Sequence, residues 1–104
     1  MAIVNVTEYA NVLSTANGVV QIPVGEPLAC YDIAVGASSA NGGTLQPGTR
    51  LVRINTDVTC RVLMAVGATA LAPGAPTSPR FSAGQTEYWG VAHQGMQVAC
   101  ITST

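Results

Sequence analysis

Residues 49–66, TRLVRINTDVTCRVLMAV, alternate two kinds of side chain along two short runs. In the first run, Val52 and Ile54 fall on one side of an extended chain and Leu51 and Arg53 on the other. One side of the second run holds only apolar or thiol side chains: Val58, Cys60, Val62 and Met64. A period of two is typical of β-strands, and the linking residues 55–57 (Asn-Thr-Asp) predict a tight hairpin turn between them.

Short runs of the same kind recur along the rest of the chain: 18–24 (GVVQIPV), 28–35 (LACYDIAV), 86–92 (TEYWGVA) and 96–102 (MQVACIT). The last two are separated by residues 93–95 (His-Gln-Gly), which again predict a hairpin. Segments 36–48 and 67–84 are rich in glycine, alanine or proline and are expected to be loops that contact a partner. Their length in so small a domain is typical of functional loops.

These patterns together predict an all-β fold, a small antiparallel β-sandwich or barrel of jelly-roll-like form, with long Pro/Gly-rich loops. Residues 1–17 are expected to form an N-terminal arm or a short helix, with one helical turn around Thr7–Leu13 as the helical alternative. Residues 18–104 are expected to form a single β domain, since 104 residues suit one small core.

Charge is scarce in this chain. Charged residues make up 9% of its 104 residues, where globular domains carry about 25%. Lysine is absent, and four arginines nearly balance five acids, so no field favours nucleic acid. The longest apolar run, 62–75, is broken by glycine and proline, and no membrane partner is expected. A surface so poor in charge suits a protein that is covered by its own copies or by a larger partner.

The reactive residue types are few and dispersed. Cys60 and Cys100 fall on apolar strand faces and are expected to be buried, and Cys30 is expected to join Leu28 in the same way. The three cysteines show no metal-binding or redox spacing, and the single histidine, His93, lies in a predicted turn. We therefore expect no catalytic residue, no metal, no cofactor and no enzymatic activity.

Arginine and aromatic side chains are the best candidates for partner contacts. Trp89 and Tyr88 point to opposite sides of a strand, so one ring can fill the core while the other stays at the surface, although the pattern does not say which. Arg50 and Arg53 also point to opposite sides, and an exposed guanidinium is well suited to a partner's carboxylate. The expected partner interface comprises six residues: Tyr9, Arg50, Arg53, Arg80, Tyr88 and Trp89.

The C-terminal half resembles a known group of proteins. The segments TRLVRINTDVTCRV, FSAGQTEYWGV and GMQVACI resemble small structural proteins encoded in the head-gene clusters of tailed bacteriophages. In residues 1–48, only the opening TEYANVL adds to the similarity. Cys100 and Met96 are not required by that pattern.

The resemblance implies a virion component, a capsid decoration or cement protein made in the host cytoplasm. Its partners would be the major capsid protein and its own copies, as a homotrimer or homodimer at symmetry-related positions. An alternative is a carbohydrate- or receptor-binding module of a phage tail or fibre, with Trp89 and Tyr88 as a sugar-stacking platform. An exposed aromatic face near asparagine and aspartate would favour the module, and a flat apolar face continuous with the long loops would favour the cement protein.

Overall fold

The computed structural model describes residues 2–14, 21–67 and 78–102. The described residues form strands and no helix, and hence no helix that could cross a membrane. The strands are β1 Ile3–Tyr9, β2 Asn11–Ser14, β3 Gln21–Val24, β4 Ala29–Ala34, β5 Ala40–Thr44, β6 Leu51–Thr56, β7 Cys60–Val66, β8 Arg80–Phe81, β9 Thr86–Gly90 and β10 Met96–Thr102.

Eight of these strands form two four-stranded antiparallel sheets that pack face to face. Sheet I has the order β4-β1-β6-β9, and sheet II has the order β5-β10-β7-β8. Strands β2 and β3 pair with each other as a separate two-stranded ribbon. The prediction of a small antiparallel β-sandwich is confirmed.

The core lies between the sheets and follows the period-two pattern. In sheet I, Val6 lies opposite both Tyr31 and Ile54, and its side chain is fully buried. In sheet II, Cys60 and Val62 face inward, and Met64 packs against them, as the alternation of 58–64 predicts. A fully buried valine or isoleucine stabilises the fold by roughly 1.5–3 kcal/mol, so the inward rows supply the main driving force.

The hairpin predicted at residues 55–57 is wrong. Strand β6 pairs with β1 and β9 in sheet I, whereas β7 pairs with β10 and β8 in sheet II, so the connection crosses between the sheets. The Thr56 hydroxyl is buried and lies 2.7 Å from the Val58 carbonyl oxygen. Asp57 accepts a hydrogen bond from the Ile3 N–H (2.8 Å), which fastens the connection to β1.

The hairpin predicted at residues 93–95 is wrong for the same reason. Strand β9 is the edge of sheet I, and β10 lies inside sheet II between β5 and β7. Residues 91–95 therefore pass from one sheet to the other, with Gly95 at a φ of 85°, which favours glycine. Alternation is the same in a hairpin and in a connection between sheets, because it shows which side chains of a strand face inward and not which strand is its neighbour.

Residues 3–9 differ from the arm or short helix expected for residues 1–17. They form β1, which hydrogen-bonds to a strand on each side and contributes Val4 and Val6 to the core. The proposed boundary at residue 17 also falls between β2 and β3, which pair with each other. The first strand is therefore an integral part of the β domain.

The segment 36–48 is only partly a loop, because residues 40–44 form β5 at the edge of sheet II. Its glycines reflect packing as well as turning. A Cβ atom at Gly42 would collide with the ring of Tyr31, so only glycine lets β5 approach this ring. In the segment 67–84, Arg80 and Phe81 form β8, and residues 68–77 lie outside the described part of the chain.

Candidate functional site

The outward side of sheet I collects polar side chains from all four strands, and we call it the polar face. The strand register aligns them in two rows. One row runs across the sheet through Cys30, Thr7, Arg53 and Tyr88. The next row runs through Asp32, Asn5, Asn55 and Thr86.

Hydrogen bonds between neighbouring strands satisfy much of the second row. Asn5 Nδ2 donates to Asp32 Oδ1 at 2.9 Å, and Asn55 Nδ2 donates to Thr86 Oγ1 at 2.7 Å. Such cross-strand pairs hold the side chains in place and stabilise the sheet modestly. The row is therefore a polar surface held in place by hydrogen bonds, with Asp32 as its charged residue.

The first row ends at the most exposed ring of the face. Tyr88 is 51% exposed and lies directly opposite Arg53 on β6. Arg53 makes no ion pair with any residue in the described ranges. Tyrosine and arginine are the residue types most enriched where proteins bind each other, so this pair is the strongest contact candidate on the polar face.

Trp89 points the other way, toward the core. Its ring packs edge-on against Phe81, with ring centres 5.6 Å apart and planes at 73°. The indole N–H donates to the Glu87 carboxylate at 3.1 Å, and Gln85 also donates to that carboxylate. The alternation correctly assigns opposite sides to Tyr88 and Trp89, and the structure assigns the core position to Trp89.

The other three predicted contact residues lie in different places. Tyr9 is on the outward side of β1, opposite Leu51, so it shares the polar face with Arg53 and Tyr88. Arg50 is exposed just before β6, beside an open groove that is also lined by Gly90, Val91 and Ala92. Arg80 is exposed on β8, in sheet II. The structure thus brings three of the six together and separates the rest.

The cysteines divide into two buried thiols and one exposed thiol. Cys60 and Cys100 are fully buried, as predicted, and burial raises the pKa of both thiols, that of Cys100 to about 11. Both are therefore protonated at neutral pH. The expected burial of Cys30 beside Leu28 is wrong: Cys30 is exposed on the polar face, and its sulfur lies 3.5 Å from Thr7 Oγ1.

No group of three histidine, cysteine, aspartate or glutamate residues is arranged to hold a metal within residues 2–14, 21–67 and 78–102. His93 is exposed in the connection between β9 and β10. The two buried thiols lie in the apolar core among valine and isoleucine side chains.

Glu8 is a buried residue that the sequence pattern did not single out. Its side chain is 1% exposed, and its Oε1 accepts hydrogen bonds from the Gln46 N–H (2.7 Å) and the Thr49 hydroxyl (2.8 Å). The Tyr31 hydroxyl is buried nearby and has no well-formed hydrogen bond. Burial raises the pKa of Tyr31, and the neighbouring carboxylate of Glu8 raises it further. Glu8 thereby fixes the loop before β6 to sheet I.

The outward side of sheet II is more apolar than the polar face. Ala99 is fully buried there among half-buried neighbours, and the cluster is separate from the main core. Its members are Leu63, Ala65, Ala99 and Ile101. The cluster lies on β7 and β10, and β7 leads directly into the segment 67–84.

No protein-family model matches the chain, and neither the curated proteins nor the solved structures show a significant similarity to it.

Proposed function

We propose that the protein is a bacteriophage virion structural protein that binds the shell of major capsid protein and stabilises it as a decoration or cement protein. The proposal rests on the resemblance of the C-terminal half to head-cluster proteins and on the distribution of possible contacts over the surface. Neither a reaction nor a cofactor is required.

The observation that carries the proposal is the placement of three arginines. Arg50 lies at one end of the sandwich, Arg53 on the polar face and Arg80 in sheet II, and none of them makes an ion pair within the described residues. An arginine contributes most when its guanidinium meets a carboxylate in a partly desolvated contact. Arginines on three different surfaces suit a subunit enclosed by several neighbours.

The outward side of sheet II supports the same conclusion. Around the buried Ala99, the half-buried side chains of Leu63, Ala65 and Ile101 offer apolar area on β7 and β10. Apolar area on an outward sheet face favours a cement protein. Packing against a shell subunit would remove this area from water and leave the arginines to set orientation.

Weak individual contacts suffice in such an assembly. Copies that form a closed homotrimer or homodimer would bind symmetry-related shell positions simultaneously. The combined affinity of such linked contacts exceeds the affinity of a single contact by roughly 10²–10⁴-fold when the geometry lets them bind simultaneously. The protein would then act mechanically, by clamping neighbouring shell subunits against internal DNA pressure.

The experiment uses heads assembled without this protein, to which purified wild-type or variant chain is added. We expect wild type to bind at a fixed copy ratio and to raise the temperature at which heads release DNA. The triple variant Arg50→Gln, Arg53→Gln, Arg80→Gln should bind at least about tenfold more weakly while it remains folded. Equal retention of wild type and variant, or no binding by either, would contradict the proposal.

A second candidate, a carbohydrate- or receptor-binding module of a tail or fibre, is favoured by one observation. The polar face carries the exposed Tyr88 ring on the same side as Asn5, Asn55 and Asp32, with Asn55 on the neighbouring strand. Amide and carboxylate groups on one face with an exposed ring suit sugar hydroxyls and a stacked sugar ring. Trp89 lies against the core, so the platform has one ring rather than the two expected. Binding to a glycan array that is lost in Tyr88→Ala, with no binding to heads, would favour this candidate.

A further inference from the structure

Among the described residues, strand β9 has a hydrogen-bonded neighbour on one side only. It is the last strand of sheet I, and its pairing with β6 fixes which groups bond inward. The N–H of Val91 donates to the Arg50 carbonyl (2.9 Å), and the N–H of Thr56 donates to the Gln85 carbonyl (3.2 Å). Since bonding residues alternate in an antiparallel ladder, the N–H and C=O groups of Thr86, Tyr88 and Gly90 face the open edge.

The other three edges of sheets I and II carry features that discourage strand addition, and β9 has fewer of them. Strand β8 is two residues long, β5 has a break in its register against β10, and β4 carries an outward aspartate. The outward side chains of β9 are uncharged. Its one charge, Glu87, points inward and is held by Trp89 and Gln85.

A groove adjoins the end of this open edge. It has a volume of about 300 Å³ and is lined by Arg50, Gly90, Val91 and Ala92. Of the described residues that line it, Arg50 alone is charged, and Arg50 makes no ion pair within residues 2–14, 21–67 and 78–102. A guanidinium in a concave site selects a carboxylate.

We propose that the edge of β9 accepts an extended segment of a partner protein as an additional strand, and that an acidic side chain of this segment enters the groove at Arg50. Backbone hydrogen bonds to Tyr88 and Gly90 would supply affinity, and the arginine would supply charge selection and register. The inference rests on the proposed function only in requiring a protein partner, which in that case would be the shell.

Gly90 provides a matched pair of variants. A Cβ added there meets no atom within 4 Å, and the backbone is not in the left-handed region, so Gly90→Ala should fold and keep the edge N–H. Gly90→Pro removes that N–H, which faces the open edge and does not bond to β6. For the groove, the pair is Arg50→Gln, which removes the positive charge, and Arg50→Lys, which keeps it.

The probe is a capped hexapeptide of alternating valine and threonine with one central glutamate, and a matched peptide has glutamine instead. Titrations of the full chain are followed by amide chemical shifts, with thermal melting to confirm folding. We expect the glutamate peptide to shift the amides of Thr86, Tyr88 and Gly90 and to bind about tenfold more tightly than the glutamine peptide. Gly90→Pro and Arg50→Gln should each lose most of this binding. Gly90→Ala should keep it, and Arg50→Lys should keep the preference for the glutamate peptide.

Any of three results would overturn the inference. These are equal affinity for the two peptides, amide chemical shift changes elsewhere on the molecule, and self-association through β9 in place of peptide binding. If Gly90→Pro proves unfolded, Arg50→Gln together with the peptide pair still decides the outcome. If heads retain the Gly90→Pro and Arg50→Gln variants as well as wild type, this inference is overturned and the proposed function is not. If the peptide binds but the chain does not bind heads, only the proposed function is overturned.

Discussion

Glu8 is a charged side chain held inside a molecule that has few charges. Its inward position follows from the alternation of Val4, Val6 and Glu8 along β1, but its partners come from residues 46 and 49, on a loop some forty positions away. A buried carboxylate is tolerated when hydrogen bonds replace its water. The loop that supplies them is thereby fixed at the point where the chain enters β6.

Replacing Glu8 should therefore destabilise the fold, and the loss should be larger when the new side chain offers no oxygen to the two donors. Glu8→Ala leaves the Gln46 N–H and the Thr49 hydroxyl without an acceptor, and it should cost about 2–3 kcal/mol. Glu8→Gln keeps an oxygen in place and should cost less. Urea denaturation at pH 7 measures both, and equal losses in the two variants would contradict the assigned hydrogen bonds.

Cys100 should make stability depend on alkaline pH. Its pKa is raised from 9 to about 11, first by burial and then by Cys60, so the folded state favours the neutral thiol. This contribution is fully present below about pH 9 and is lost as pH rises toward 11, because the unfolded thiol ionises first. The loss attributable to Cys100 should be on the order of 2 kcal/mol between pH 8 and 10.5.

The comparison is between wild type, Cys100→Ala and Cys30→Ala, with unfolding free energies measured at pH 8 and at pH 10.5. Cys100→Ala should show a smaller decrease with pH than wild type, and Cys30→Ala is the control for replacing an exposed cysteine. A decrease that is the same in all three proteins would show that Cys100 does not contribute.

Strand β9 gives two neighbouring aromatic residues opposite roles. Trp89→Ala removes the contact with Phe81 and should cost about 3 kcal/mol, the lower end for a large aromatic residue because Trp89 is only half-buried. Tyr88→Ala removes an exposed ring and should change stability by less than about 1 kcal/mol. Thermal and urea unfolding measure both variants, and a larger loss for Tyr88→Ala would reverse the assigned orientation of the strand.

Alternation predicted β3, β4, β6, β7, β9 and β10, but neither the other four strands nor the connections between the sheets. The inward positions Cys60, Val62, Val98 and Cys100 follow directly from the period of two. The route of residues 55–57 depends instead on Asp57 bonding to Ile3, a contact between positions 54 residues apart that local propensity does not reveal. Strand β5 was missed because asparagine and glycine predict turns, whereas Gly42 is needed next to Tyr31.

The polar face was predictable in its parts but not in its arrangement. The residue types marked Arg53 and Tyr88 as possible contacts, and the alternation separated Tyr88 from Trp89. Their position side by side requires the register of β6 with β9, and the row through Asn5 and Asp32 requires that of β1 with β4. Register depends on the complete set of inward side chains, so a single strand does not determine it.

At the scale of the whole molecule, the sandwich has different surfaces on its two sheets. Sheet I presents an ordered polar face with one exposed tyrosine, and sheet II presents an apolar cluster around Ala99. Arg53 in sheet I, Arg80 in sheet II and Arg50 at one end make no ion pair with any described residue. With a formal net charge of −1 and 9% charged residues, long-range repulsion does little to keep copies apart. These features together suit a subunit whose surface is completed by neighbouring molecules.

The most direct test is to purify full heads and measure how many copies of this chain accompany each copy of the major shell protein, by quantitative mass spectrometry across a density gradient. The account predicts a fixed ratio that follows the heads through the gradient and survives repeated sedimentation. A chain that is absent from the particles and remains a dispersed monomer in concentrated solution would contradict it.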